Sequence, residues 1–189
     1  MSWVDRLQEA TGWHQERLEL EWTRLESDLG TPLPEDYKEL CARFEPGSFS
    51  AFVSPLRGGD DELYDLRSTW TLQKSLFERD PGSAGRLFAP YEVYRVNGRR
   101  GLIQWGSAET AECQYFWLAD AAVDPAEWPV VGRWESGSDW HSYPMSTAEF
   151  IYRVIADPEF RPLGVADEMG PPFYLTNASA PGWDPRTAR

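Results

Sequence analysis

Helices at both ends of the chain and a run of short strands between them predict an α+β fold, an antiparallel sheet of about five to six strands with flanking helices. Three observations carry this expectation. Leu33, Tyr37, Leu40, Cys41 and Phe44 recur at helical spacing in the stretch that Leu-Pro-Glu-Asp-Tyr opens. Tyr91–Val96 and Arg99–Trp105 flank Asn97-Gly98, the pair best suited to a tight type I′ turn because both central positions need positive φ. Ser146-Thr147-Ala148-Glu149 reads as a capping box that opens a last helix, with the serine hydroxyl capping the third helical N–H and Glu149 reaching back.

Taken in order, Met1–Gly12 reads as a short helix with Trp3, Leu7 and Ala10 on one face. Trp13–Leu29 reads as a second helix, because Leu18, Trp22, Leu25 and Leu29 follow a buried-stripe spacing, with Glu16, Arg17, Glu19, Glu21, Arg24 and Glu26 on the wet side. Gly30 is placed where a helix stop is expected. Pro34 then occupies a first-turn position, where its missing N–H is harmless. Glu35 and Asp36 lie at the positive end of that helix dipole. Pro46-Gly47 stops the helix. Phe49–Leu56 reads as the first strand, with Phe52 and Val53 supplying apolar bulk, and Arg57–Glu62 as a loop. Glu62–Arg79 reads as helical, with Leu63, Leu66, Trp70 and Phe77 apolar, and Asp80–Gly85 as a turn-rich break.

The Asn97-Gly98 hairpin follows, then a loop over Gly106–Glu112. Cys113–Leu118 and Trp128–Trp134 read as strands separated by a turn at Asp124-Pro125, and Glu135–Asp139 as another turn. The closing helix carries Phe150, Ile151, Val154 and Ile155 on one side and is limited by Pro158. Beyond it Pro162, Pro171, Pro172, Pro181 and Pro185 mark an irregular arm, ordered in part by Phe160, Phe173 and Tyr174, with a frayed end. Residues 1–157 thus read as one domain with an N-terminal helical extension, and 158–189 as a Pro/Gly-rich C-terminal arm.

Leu29, Gly30, Leu33, Pro34, Tyr37 and Gly47 form a Leu-Gly-x-x-Leu-Pro-x-x-Tyr segment after a charged stretch and before a Gly-containing turn. Trp105-Gly106, Trp117, Trp128-Pro129-Val130-Val131 and the Ser146–Ile155 helix with Phe150 follow downstream. This pattern, over roughly residues 14–157, resembles the Smi1/Knr4 family of the SUKH superfamily. The resemblance implies a binding module. Many bacterial members are similar to immunity proteins that neutralise a secreted toxin, and others are regulatory interaction domains. The segment before residue 13 and the arm after Pro158 go beyond the family pattern, and either can cover or extend the groove that family members use.

Composition narrows the classes further. At 189 residues the chain can bury a core without metal or disulfide staples. A net charge of −13 disfavours nucleic acid and anionic membrane as partners and favours a basic protein. Ten Trp residues supply packing bulk, and a few of them can serve as surface anchors. Cys41 and Cys113 are only two and lack CxxC spacing, so no disulfide framework is expected. The sequence shows no run of about 18 apolar residues and no signal-peptide pattern, so a cytoplasmic address is expected.

Motifs for chemistry are weak. His14 and His141 are isolated and fit no zinc spacing. Ser138, Asp139 and His141 crowd one short turn and lack a nucleophile elbow. Cys113 with His141 could meet across a sheet, though nothing in the sequence demands it. Arg57-Gly58-Gly59-Asp60-Asp61 has no Walker Lys and places acid where phosphate would sit. Asp60, Asp61, Glu62 and Asp65 do not fit an EF-hand loop. The expectation is therefore a non-enzymatic protein with no cofactor and no metal, binding a basic toxin domain through the acidic Asp60, Asp61, Glu62 and Asp65 stretch together with Trp134 and Trp140. The alternatives are a regulatory scaffold unrelated to toxins and an enzyme of unrecognised type.

Overall fold

A computed structural model describes residues 1–57, 65–96, 98–108, 112–135, 137–164 and 170–177. The fold is α+β. Among these residues a five-stranded antiparallel sheet runs in the order β2 (Ser54–Pro55), β3 (Arg100–Ala108), β4 (Cys113–Asp120), β5 (Val130–Trp134), β6 (His141–Tyr143), and a separate antiparallel pair joins β1 (Gly47–Phe49) to β7 (Tyr174–Thr176).

Helix α1 (Trp3–Thr11) is fixed by a reciprocal cap: the Asp5 N–H donates to Ser2 Oγ at 3.1 Å and the Ser2 N–H donates to Asp5 Oδ2 at 2.8 Å. Val4, Leu7 and Gln8 are its buried residues, while Trp3 and Ala10 are half-buried. The expected helix over Trp13–Leu29 is helical only as α2 (Thr23–Leu29). Residues 13–22 have no regular secondary structure. Half-buried Leu18, Leu20 and Trp22 alternate there with exposed Glu19 and Glu21, a two-residue period. The Leu18 N–H donates to the Ala42 carbonyl at 2.7 Å, tying the segment to α3 (Glu35–Arg43) instead of to its own preceding turn. In α3 the expected stripe holds in full: Leu33, Tyr37, Leu40, Cys41 and Phe44 are all buried. Pro34 sits one residue before the helix, and its carbonyl accepts the Tyr37 and Lys38 N–H groups.

The strand expected over Phe49–Leu56 is broken into β1 (Gly47–Phe49) and β2 (Ser54–Pro55). Ser50 and Ala51 between them take positive φ, 50° and 61°, and turn the chain. Helix α4 (Leu66–Arg79) buries Leu66, Trp70 and Phe77 as expected. The break expected at Asp80–Gly85 is instead the start of α5 (Pro81–Phe88). Pro81 is tolerated in the first turn, and the Asp80 carboxylate accepts the Ser83 N–H at 3.0 Å.

Strand β3 (Arg100–Ala108) runs beyond the expected end at Trp105, with a register shift between Gln104 and Gly106. Its expected hairpin partner is not a full strand. Within Tyr91–Val96 only Val93 pairs, through a single parallel bridge to Leu102, and Asn97 lies outside the described residues. Strands β4 (Cys113–Asp120) and β5 (Val130–Trp134) complete the expected meander. An unanticipated β6 (His141–Tyr143) adds the edge. Ser146 caps α6 (Thr147–Ala156) by accepting the Glu149 N–H, while the Glu149 carboxylate pairs with Arg153 at 2.8 Å. Beyond Pro158 the chain returns to the body: β7 (Tyr174–Thr176) pairs with β1, and Leu163 and Tyr174 are buried.

Side-chain alternation along the sheet explains why helices cover both faces. Trp105, Tyr115 and Trp117 meet Tyr37 of α3 and Phe150 of α6. Gln104 and Phe116 point the other way, toward Gln73 of α4 and Phe88 of α5. With both faces covered, β3 and β4 are buried almost residue after residue instead of alternately.

Candidate functional surface

Inside this body several aromatic residues tie their polar atoms to the scaffold. The Trp117 indole N–H donates to Thr147 Oγ1 at 2.8 Å, the Trp70 N–H to the Tyr94 carbonyl at 2.8 Å, and the Tyr37 hydroxyl to the Leu56 carbonyl. Arg133, 2% exposed, is held in a cage of rings. Its guanidinium lies 4.7 Å from the Trp140 ring centroid and 5.0 Å from that of Phe88, and it donates to Gln114 Oε1 and to the Leu87 carbonyl. Burial pushes both cysteine thiols up, Cys113 to about 11, so neither is poised as a thiolate. Trp105 Nε1, Gln73 Oε1 and two nitrogens of Arg57 are buried without a hydrogen-bond partner. Arg57 donates through its remaining terminal nitrogen to the Cys41 carbonyl at 2.8 Å. Among the described residues no three His, Cys, Asp or Glu side chains gather as metal ligands.

The sequence-derived contact residues separate. Asp60, Asp61 and Glu62 lie outside the described residues. Asp65 is buried and caps α4: its carboxylate accepts the Arg67 N–H at 3.0 Å, the Ser68 N–H at 3.2 Å and the Ser68 hydroxyl at 2.7 Å. Trp140 is half-buried, packs edge-on against Tyr91 and Phe116, and donates its indole N–H to the Ala89 carbonyl at 2.8 Å. Trp134 alone of the two is exposed, 37% accessible at the end of β5. Its indole meets the ring of His141 edge-on at 5.9 Å. The Glu135 N–H donates to the Glu112 carbonyl at 2.7 Å, which brings two exposed carboxylate residues to that corner.

Charge is unevenly distributed, a feature visible in the sequence once acids and bases are counted by segment. Residues 66–100 hold seven Lys and Arg against three acids, a net of +4. The other residues hold eleven bases against 28 acids, a net of −17, which sums with +4 to the −13 of the chain. Exposed Leu72, Leu76, Leu87 and Val96 belong to the basic stretch. A second feature lies beside α3. Leu18, Leu20, Trp22 and Ala42 line a groove of about 380 Å3, rimmed by Glu19, Glu35 and Glu39 together with Arg17 and Lys38. Burial opposes the charge of Lys38, and its bonds to Glu35 and Glu26 outweigh that and hold its ammonium pKa up. No protein-family model matches this chain, and no curated protein or solved structure matches it either.

Proposed function

We propose that this chain is a protein-binding module that neutralises a basic protein, an immunity protein of the kind its resemblance to Smi1/Knr4 domains implies. The observation that carries the reading is the excess of 28 acids over eleven bases outside residues 66–100. A nuclease toxin must attract phosphate, so its working face is basic. A dense carboxylate surface competes for that face as an electrostatic substitute for phosphate and accelerates correctly oriented encounter. An exposed Trp134 between carboxylate residues supplies the apolar anchor that charge alone does not, since Trp is enriched among the few residues that dominate binding energy. In this reading the protein acts in the cytoplasm of the producing cell, before the toxin leaves it.

Co-expression with the toxin encoded beside it tests the proposal. Relief of toxicity and co-purification of the two chains are expected. Unrelieved toxicity with no co-purification removes the toxin, and retrieval of a cellular enzyme in its place assigns the chain to regulatory scaffolds.

A further inference from the structure

The basic, leucine-bearing stretch lies across the sheet from Trp134. Successive side chains along a strand point to opposite faces. Arg133 of β5 points to the α5 side, its guanidinium 5.0 Å from the Phe88 ring centroid. Trp134, the next residue, points the other way, in register with Cys113 of β4. A partner seated on the Trp134 side therefore leaves α4 and α5 uncovered. On α4, Leu72 is 58% exposed and Leu76 39%, one helical turn apart. On α5, Leu87 is 48% exposed. Phe77 and Phe88, the residues next to Leu76 and Leu87, pack at 5.6 Å between ring centroids and join the two helices. A groove of about 580 Å3 runs beside Leu72, with Arg67, Thr71 and Ser75 also lining it. Thr71 and Ser75 are short and one turn apart, so side chains of a second helix can fit between them and the leucines.

The cations of this surface set the charge of what it accepts. Arg79 donates to the Ser75 carbonyl at 3.3 Å and to Ser75 Oγ at 3.0 Å, which lays its guanidinium along the leucine side of α4. Lys74 lies over Trp70 at 4.8 Å and Arg95 over Phe77 at 5.6 Å on the flank. These three have no ion pair among the described residues. Arg67 pairs with Asp28, and Arg86 offsets the Asp80 carboxylate that caps α5. Glu78 is the one acid left on the two helices. We propose that α4 and α5 form a docking surface for an acidic amphipathic helix of another protein, its apolar ridge on Leu72, Leu76 and Leu87 and its carboxylates beside Lys74, Arg79 and Arg95. An anionic bilayer offers the same two chemistries, but its extended surface also meets the −13 of the whole chain. A single helix meets the local excess of cations, since charges beyond about 8 Å are screened at physiological ionic strength. This docking does not rest on the toxin reading.

Fluorescence anisotropy on the full chain tests this with a labelled helix-forming peptide of about 18 residues, carrying Leu at i, i+3, i+4 and i+7 and Glu on the flanking positions. One-to-one binding that weakens as salt rises is expected. A scrambled peptide of the same composition is expected not to bind. L72S/L76S and K74Q/R79Q change solvent-facing positions, so each is expected to keep the wild-type far-UV spectrum and to lose at least about tenfold in affinity. Trp134→Ala is expected to bind the peptide as the wild type does. No binding by the wild type overturns the proposal. So does equal affinity for the scrambled peptide, and so does unchanged affinity in either double variant. Co-sedimentation with phosphatidylglycerol vesicles without any binding of the peptide assigns the face to a bilayer and overturns it too. None of these outcomes depends on the toxin-binding surface.

Discussion

Arg133 shows at the level of one side chain how this protein uses its aromatic residues. A buried guanidinium is disfavoured by desolvation, and burial lowers its pKa accordingly. Three rings and two carbonyl-type acceptors compensate, and the side chain thereby ties the C-terminal end of α5 to β4. Arg133→Met keeps the apolar bulk and leaves the Leu87 carbonyl and the Gln114 amide oxygen without their donor. Such a change is expected to lower stability by about 2–4 kcal/mol, each orphaned group costing roughly 1–3. Chemical denaturation measures it, and a variant as stable as the wild type shows that ring packing alone holds the helix. Asp5 provides a pH-dependent counterpart. Hydrogen bonding from the Ser2 backbone, then Arg43 and the Ser2 hydroxyl, hold its carboxyl at about 2 against an ordinary 3.8. A depressed folded-state value means the contribution is complete above the unfolded value and is lost as pH falls through about 2. Asp5→Asn is therefore expected to be less stable than wild type at pH 6, with the gap closing as pH falls from 4 toward 2; a pH-independent gap contradicts the assignment.

At the level of elements, the segments legible in the sequence were those in which one local rule decides. The α3 stripe, the apolar face of α4 and the Ser146 cap all hold, because spacing and capping are properties of neighbours along the chain. Residues 13–22 depart from the helical expectation for a physical reason. Leu18, Trp22, Leu25 and Leu29 fit a helical period, yet Leu18-Glu19-Leu20-Glu21-Trp22 fits a two-residue period as well, and the bond from the Leu18 N–H to Ala42 selects the second. The Asn97-Gly98 signal is not followed by a hairpin: only Val93 pairs with β3, through a parallel bridge to Leu102, while β2 pairs with Gly106 and Ser107 farther along β3. Asp80-Pro81 carries the signal for the start of α5, a capping carboxylate followed by a first-turn proline. Hydrogen exchange resolves the first case: the Leu18 amide is expected to be protected while Glu19 and Leu20 exchange rapidly. Uniform protection from residue 14 through 29 instead restores a continuous helix.

The whole molecule places ionisable hydroxyls and thiols where they stay neutral. Burial raises Cys41, Tyr37, Tyr115 and Tyr174, and raises Cys113 to about 11 and Tyr143 to about 12. With folded values above unfolded ones, this stabilisation is whole below pH 9 and erodes as pH rises toward 12. Both thiols are expected to resist a disulfide reagent at pH 8 in native buffer and to react together on unfolding; rapid labelling of either in the native state contradicts a sealed interior. The candidate surface was only partly legible for a related reason. The sequence places Asp65 at the contact as part of an acidic loop and Trp140 as an exposed aromatic of the sheet, whereas tertiary context engages one as a helix cap and the other as a packed ring with its N–H occupied. Trp134 kept its exposure because β6 ends opposite Gly132 and leaves the last residue of β5 uncovered on that side.

The proposed role of this body is to present a carboxylate surface, with Trp134 as its apolar anchor, to a basic protein. Titration calorimetry against the purified basic domain of the neighbouring toxin, at low and at high salt, with wild type and Trp134→Ala, tests it most directly. A one-to-one complex that weakens as salt rises, and by at least about tenfold in the variant, is the predicted result. No heat of binding at low salt, or an affinity indifferent to both salt and Trp134, contradicts it.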